Sequence, residues 1–422
     1  MPMISGPTPA VVRGPVRPQP AAARPRAAAK PAATVRVATE GVREHWLSRL
    51  PSPVRFVALT GLTALGRARR WVSETLGRQS APADAADPKG RAAATWKLIE
   101  ARYGIPGMKG HFTEVEGGFQ PATVWPHGQA IAAALDLALL TGDYAPVDAS
   151  MKALSLYMDD GAYGPFSTTG HAHRLWDDNA WIGLDFMQAY AQTGNRDYLA
   201  KAEAIFPFME SGLHREGGLY WEENNQRMTR NTCANAPSAQ YALRLYQATK
   251  DPKYLRFAEN LLGFMNDKLR SPEGLYYDHL GDDGKLDKTI WSYNQGAAIG
   301  ANLLKHRASG DPKALELARE TANAALAHFG RDDRLWKQPP SFNAIFFRNL
   351  LALDAVAPDP RYRQVMTDYL ERVWQEGRDP ATGALNQGGI GKYDPSGLLD
   401  QAAIAQMNAL LAWPKDKLPM VG

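Results

Sequence analysis

Thiol chemistry is nearly absent, because 422 residues carry a single cysteine, Cys233. That excludes an intrachain disulfide framework and any zinc site built from several cysteines. Long apolar runs are missing too. Residues 54–65 form the most apolar stretch of the N-terminal region, yet they are too short to span a bilayer and are followed by Arg67, Arg69 and Arg70. The stretch lies more than fifty residues into the chain and has no small-residue cleavage site nearby, so it makes a poor export signal. An interfacial helix on an anionic membrane is the alternative. Residues 1–38 have almost no large apolar side chains beyond scattered valines and are rich in Pro, Ala and Arg. Such a segment cannot build a core and is expected to be disordered.

An excess of positive charge is missing from the body of the chain. Residues 1–80 carry thirteen Lys/Arg against three Asp/Glu, a net of +10, whereas residues 81–422 carry 35 against 41, a net of −6. A nucleic-acid enzyme shows its basic stripe on the folded domain, so this class is disfavoured. Weak contact with a membrane surface or an anionic polymer through the basic tail stays open. The expected division is a tail, 1–90, with one weak amphipathic helix, and a folded domain, 91–422, acting as a monomer.

The body repeats itself. Five turns, at Asp143, Asp197, Asp251, Asp311 and Asp359, are spaced by 54, 54, 60 and 48 residues. Asp-Pro in three of them reads as a helix start, with Asp capping and Pro at the first helical position. Before each turn, and once more near the end, lies an apolar helical pattern: 126–140, 177–192, 234–248, 293–308, 342–356 and 398–412. These are apolar on most faces, as inner helices must be. More amphipathic outer helices such as 198–209 and 254–266 follow. Short Gly-plus-aromatic segments, for example Gly218-Leu219-Tyr220-Trp221 and Gly274-Leu275-Tyr276-Tyr277, lead back to the next inner helix. Six such units predict an all-α fold, an (α/α)6 toroid of six helical hairpins, although an open solenoid has the same period.

In a ring of hairpins the inner helices run one way and their N-termini converge. The residues there are Trp125 and His127; Trp176, Asp177, Asp178, Asn179 and Trp181; Asn235; Trp291, Tyr293, Asn294 and Gln295; and Phe342. Amides beside flat aromatic rings suit a sugar, whose hydroxyls need hydrogen bonds and whose C–H faces stack. Each residue also has a structural role open to it as a cap or core cover. Asp177-Asp178 stands out, since neighbouring buried carboxyls repel and tend to leave one ionised and one protonated. Glycoside cleavage uses such a pair. Asp before a helix is also a common N-cap.

His171 and His173 could carry protons or complete a metal site, but their spacing follows no zinc or calcium loop, and no metal or cofactor is expected. Asp282, Asp283, Gly284 and Asp287 resemble a fragment of a calcium loop without its terminal Glu and read as a solvated turn. Cys233 has no adjacent His and reads as packed.

Four motifs in register, Trp176-Asp177-Asp178-Asn179-Ala180-Trp181, Asn231-Thr232-Cys233-Ala234-Asn235-Ala236-Pro237, Ser292-Tyr293-Asn294-Gln295-Gly296 and Phe342-Asn343-Ala344-Ile345-Phe346-Phe347-Arg348, resemble glycoside hydrolase family 76, the endo-α-1,6-mannanases. The resemblance covers about residues 92–412. It implies an (α/α)6 fold and retaining hydrolysis of α-mannosidic, α-1,6 linkages in a polysaccharide or oligosaccharide, with Asp177 as nucleophile and Asp178 as acid/base. A mannan substrate favours secretion or the cell envelope, while the absence of a clear signal leaves the cytoplasm open. Gly388-Gly389-Ile390-Gly391-Lys392 thins the usual aromatic wall and leaves endo against exo cleavage undecided. Competing readings are a non-catalytic glycan-binding toroid and another toroid sugar enzyme, such as an epimerase working through His127 or His171 or an unsaturated-uronide hydrolase.

Overall fold

The computed structural model describes residues 87–167, 174–223, 228–386 and 397–420. The basic tail 1–86, His171, His173 and the run 388–392 lie outside them. Among the described residues there are twelve α-helices. The inner six are α2 (Val124–Thr141), α4 (Trp176–Thr193), α6 (Thr232–Thr249), α8 (Ser292–Ser309), α10 (Pro340–Asp354) and α12 (Leu398–Ala412). The outer six are α1 (Pro88–Tyr103), α3 (Ala145–Ala153), α5 (Arg196–Ser211), α7 (Pro252–Phe264), α9 (Pro312–Phe329) and α11 (Pro360–Arg372).

Each inner helix packs on the next, and α12 packs back on α2. The ring is therefore closed. Each outer helix from α3 to α11 packs on the inner helix before it, but the sixth hairpin joins α1 and α12, so the two ends of the folded body meet. Arg91 on α1 reinforces the seam with a bond to Glu371 of α11 at 2.6 Å. A solenoid would leave apolar faces of its terminal helices open; here those faces cover each other, and α12 is buried along most of its length.

The turns are built to one plan. Thr141, Thr193, Thr249 and Ser309 each return a hydroxyl bond to the carbonyl four residues earlier and accept the N–H two residues later. The inner helix then stops on a left-handed residue, Gly142, Gly194, Lys250 or Gly310, at φ between 63° and 76°. Glycine enters that region without strain, and Lys250 is the copy that does not. The next helix is capped by Asn195, Asp251, Asp311 or Asp359, each accepting the backbone N–H two residues on. Asn195 does this in the second turn, not Asp197, which lies inside the first turn of α5.

The return segments form short antiparallel pairs at the inner-helix starts. They are β1 (Gly104–Ile105) with β2 (Met108–Phe112), β3 (Met158–Asp159) with β4 (Ala162–Tyr163), and a three-stranded sheet of β5 (Thr229–Asn231), β6 (His279–Gly281) and β7 (Leu286–Asp287). The acidic run falls in the β6–β7 turn, where Gly281 donates to the Lys285 carbonyl at 2.9 Å and Asp283 is held by Lys285. Close approach of inner helices is set by Gly296 of α8, where a Cβ would stand 2.4 Å from the Phe346 backbone of α10.

Candidate active site

The first turns of the inner helices present two faces, because the second and fourth residues of a helix lie about 200° apart. The fourth residue is polar in every inner helix: His127, Asn179, Asn235, Gln295, Asn343 and Gln401, all buried. Asn179, Asn235, Gln295 and Asn343 bond the loops. Asn179 accepts from Tyr163 N at 2.8 Å and donates to Tyr163 O and Leu175 O, so its amide completes a strand-like pair with the β4 backbone. Asn235 makes the same pair with Leu219, and Gln295 makes it with Tyr276. Asn343 donates to Leu335 O and accepts from the Ser292 hydroxyl.

His127 belongs to this set. Its Nε2 meets Ser150 O at 3.0 Å, its ring lies among Phe112 and Tyr157, and burial lowers its pKa to about 4. Expected to touch substrate, Asn179, Asn235 and Gln295 instead pin the loops, since a fully satisfied amide has nothing left to offer a ligand, and His127, expected there too, is fully buried against α3 with its Nδ1 unpartnered among the described residues. Trp176 is corrected likewise: it stacks on Phe208 at 5.5 Å, donates to the Phe208 carbonyl, and leaves room for no Cβ at Gly212.

Second and third residues of three inner helices, with Trp291 just before α8, build an aromatic wall. Phe342 is its hub, stacked on Tyr293 at 4.0 Å, met edge-on by Trp291 at 5.6 Å and tilted against Trp125 at 6.3 Å. Each of these four rings keeps some solvent contact. Trp181, one turn deeper on α4, packs with Tyr293 against a core of Ala236, Phe264 and Ile345. Asn294 is buried and donates to Asp278 at 3.2 Å.

Asp177 and Asp178 open α4 and keep partial solvent contact, yet their carboxyls sit deep enough for burial to dominate their proton affinity. Their surroundings differ. Asp177 accepts from the Trp221 indole N–H at 2.9 Å and from the Asp178 backbone N–H at 3.0 Å, and the nearby Cys233 thiol also favours its anion. These donors and burial together leave its pKa raised to about 6, burial being the larger effect. Asp178 has no donor to its carboxyl among the described residues; burial first, and then the charge of Asp177, hold it well above the ordinary carboxylate range. One carboxyl is thus favoured as the anion and the other as the acid.

Trp221 and Cys233 escaped sequence reasoning for different reasons. Trp221 comes from a return segment 44 residues downstream, and only the fold brings it over Asp177. Cys233 is the second residue of α6, the counterpart of Asp177 on α4 and Tyr293 on α8, so the helical register itself marks it as facing the site.

Among the described residues, Asp278, His279 and Asp287 have ligand atoms within 4.8 Å of one another. Asp278 already pairs with His279 Nδ1 at 3.0 Å and Asp287 with Thr289 N at 2.8 Å, so an ion is not needed to account for them. Further down the axis, Gln129, Trp181, Asp185, Gln188, Gln240 and Arg348 line a cavity of about 40 Å³. There Arg348 pairs with buried Asp136, with Gln188 bonded to both.

With this geometry in place, comparison with known proteins is decisive for the family. The glycosyl hydrolase family 76 model matches residues 94–416. The chain belongs to that family. A mannan endo-1,6-α-mannosidase of Saccharomyces cerevisiae is 26% identical over 217 residues, 44% of this chain and 47% of its own length, so the match spans about half of that relative. A family 76 glycoside hydrolase from a bovine Bacteroides thetaiotaomicron strain superposes with a TM-score of 0.71 at 22% identity, covering 78% of each chain. An inactive variant of the family 76 α-1,6-mannanase of Salegentibacter sp., with two consecutive aspartates replaced and α-1,6-mannotetraose bound, superposes with a TM-score of 0.64 at 21% identity over 77% of this chain and 99% of its own. At these identities the two structural likenesses establish the (α/α)6 fold that family 76 shares.

Proposed function

We propose that this family 76 protein hydrolyses α-mannosidic linkages, α-1,6 in a mannan-type glycan, with retention. The carrying observation is the unequal treatment of two adjacent acids: two donors on Asp177, none among the described residues on Asp178. Asp177, as the favoured anion, attacks the anomeric carbon. Asp178, holding its proton, gives it to the departing oxygen and then takes one from water. The helix N-terminus adds its positive end to the side of the anion. The wall of Trp125, Trp291, Tyr293 and Phe342 offers flat faces to the sugar's C–H surfaces.

The relatives support the reading from outside. One is named a mannan endo-1,6-α-mannosidase, and another is an α-1,6-mannanase whose variant lacking two consecutive aspartates is inactive and holds an α-1,6-linked oligosaccharide. The test is release of reducing ends from linear α-1,6-mannan, with the anomer of the first-formed product followed by NMR. Retention gives the α anomer first. Asp177→Asn and Asp178→Asn are each expected to lower turnover by at least roughly 100-fold. Unchanged turnover in both, or a β anomer first, overturns the assignment.

A further inference from the structure

We infer that Phe119 and Phe166 form a second sugar-stacking platform on the rim of the mouth, which takes mannosyl units of the chain that lie beyond the paired acids. The inference rests on the proposed substrate. Large apolar side chains scattered singly over a surface mean little, whereas a cluster of them marks a contact face. Among the described residues six are exposed: Met108, Val115, Phe119, Met158, Phe166 and Val356. All but Val356 fall on two return segments, 104–123 between α1 and α2 and 158–167 between α3 and α4. Those segments are neighbours. The Tyr157 hydroxyl, at the head of the second, donates to the Ala122 carbonyl of the first at 2.7 Å, and Val124 N, at the start of α2, donates to the Pro165 carbonyl at 3.0 Å.

Continuity with the aromatic wall names the occupant. Phe166 follows Pro165, which is bonded to the first residue of α2, and Trp125, the next residue of that helix, belongs to the wall. Phe119 lies three residues before Ala122, on a segment whose Glu114 carbonyl accepts from Leu398 N at the start of α12. The wall thus continues past Trp125 onto the rim, where the rings are more open: Phe166 is 57% exposed and Phe119 43%, against the half-buried rings of the wall. Gln120 beside Phe119 is exposed and Ser167 beside Phe166 is half-buried, so each flat ring stands next to a group that bonds a hydroxyl. Glu114, Glu116, Asp159 and Asp160 outnumber Lys109 on these segments. That sign repels an anionic lipid surface and is indifferent to a neutral sugar chain. A short oligosaccharide reaches the paired acids without the platform; a long chain rests on both.

Two measurements on the full chain test this. In the first, kcat/KM is compared between linear α-1,6-mannan and the shortest α-1,6-linked oligosaccharide that is hydrolysed. The ratio of long to short falls by about 3- to 10-fold in Phe119→Ala and in Phe166→Ala, and by about 10- to 50-fold in the double variant. Val356→Ala, at an exposed apolar side chain outside the two segments, keeps the wild-type ratio. In the second, which needs no turnover, Asp178→Asn is run through gels containing α-1,6-mannan, with and without the two Phe→Ala substitutions. Its affinity for the polymer, read from the retardation, weakens about tenfold when both rings are removed. A wild-type ratio in the double variant, or unchanged retardation, overturns the platform while hydrolysis stands. Loss of binding to phosphatidylglycerol vesicles in the double variant, with the ratio unchanged, gives the patch to lipid and overturns it too. No hydrolysis of α-1,6-mannan by the wild type overturns the catalytic reading instead, and the retardation then decides the platform by itself.

Discussion

On α4, Asp177 and Asp178 keep contact with solvent while Asn179, the very next residue, has none. The three are of similar size and polarity, and all open one helix. The difference lies in the direction each points. A step of about 100° per residue turns the second and third positions toward the ring's mouth and the fourth toward the return loops. The same split recurs at Cys233 against Asn235, and at Tyr293 against Gln295. A polar residue at a helix start is thus a site residue or a loop fastener according to one step of register.

That contrast can be broken most forcefully from the site side. Asp177→Asn and Asp178→Asn should lose at least roughly 100-fold in turnover while keeping the wild-type circular dichroism spectrum. Next comes the fastener side. Asn235→Ala leaves the Leu219 N–H and carbonyl without their amide partner, costing on the order of 3 kcal/mol by urea unfolding, with KM little changed in whatever folds. A KM effect with no loss of stability would reverse the two faces.

A smaller effect comes from pH. Burial raises the pKa of Asp177 to about 6 and holds that of Asp178 well above its ordinary value, so the folded chain keeps protons that the unfolded chain releases from about pH 4 upward. Stability from these groups is therefore fully present below the unfolded pKa and falls as pH rises through the folded value. Asp178→Asn, which cannot ionise, should melt close to wild type at pH 4 and increasingly above it toward pH 7. A melting difference that is flat with pH would show Asp178 to be an ordinary exposed acid. Smallest of all, Asp311→Ala at an outer-helix cap should cost about 1 kcal/mol by urea unfolding and leave catalysis alone.

Much of the fold was legible because its cues are local. Thr141-Gly142, Thr193-Gly194 and Ser309-Gly310 end helices, and Asp251-Pro252 and Asp311-Pro312 begin them, through contacts within a few residues. The inner helices begin within two residues of their expected starts because their apolar pattern marks them, although none carries a side-chain N-cap bond. The site was only half legible. Trp125, Trp291, Tyr293 and Phe342 do come together, but His127, Asn179, Asn235, Gln295 and Trp176 are committed to loops and core. Composition alone could not sort them, because an amide that fastens a loop and one that holds a hydroxyl look the same in a sequence.

By itself the sequence determined six apolar inner helices, the caps of the outer ones, and a pair of neighbouring acids between large aromatics. Closure of the ring through α1 and α12, the choice of which first-turn residues face the mouth, and the meeting of Trp221 and Cys233 on Asp177 were decided by the tertiary structure. The reason is range. Caps and turns act over two to four residues, whereas the rotation of a helix about its axis is set by what packs on both of its sides.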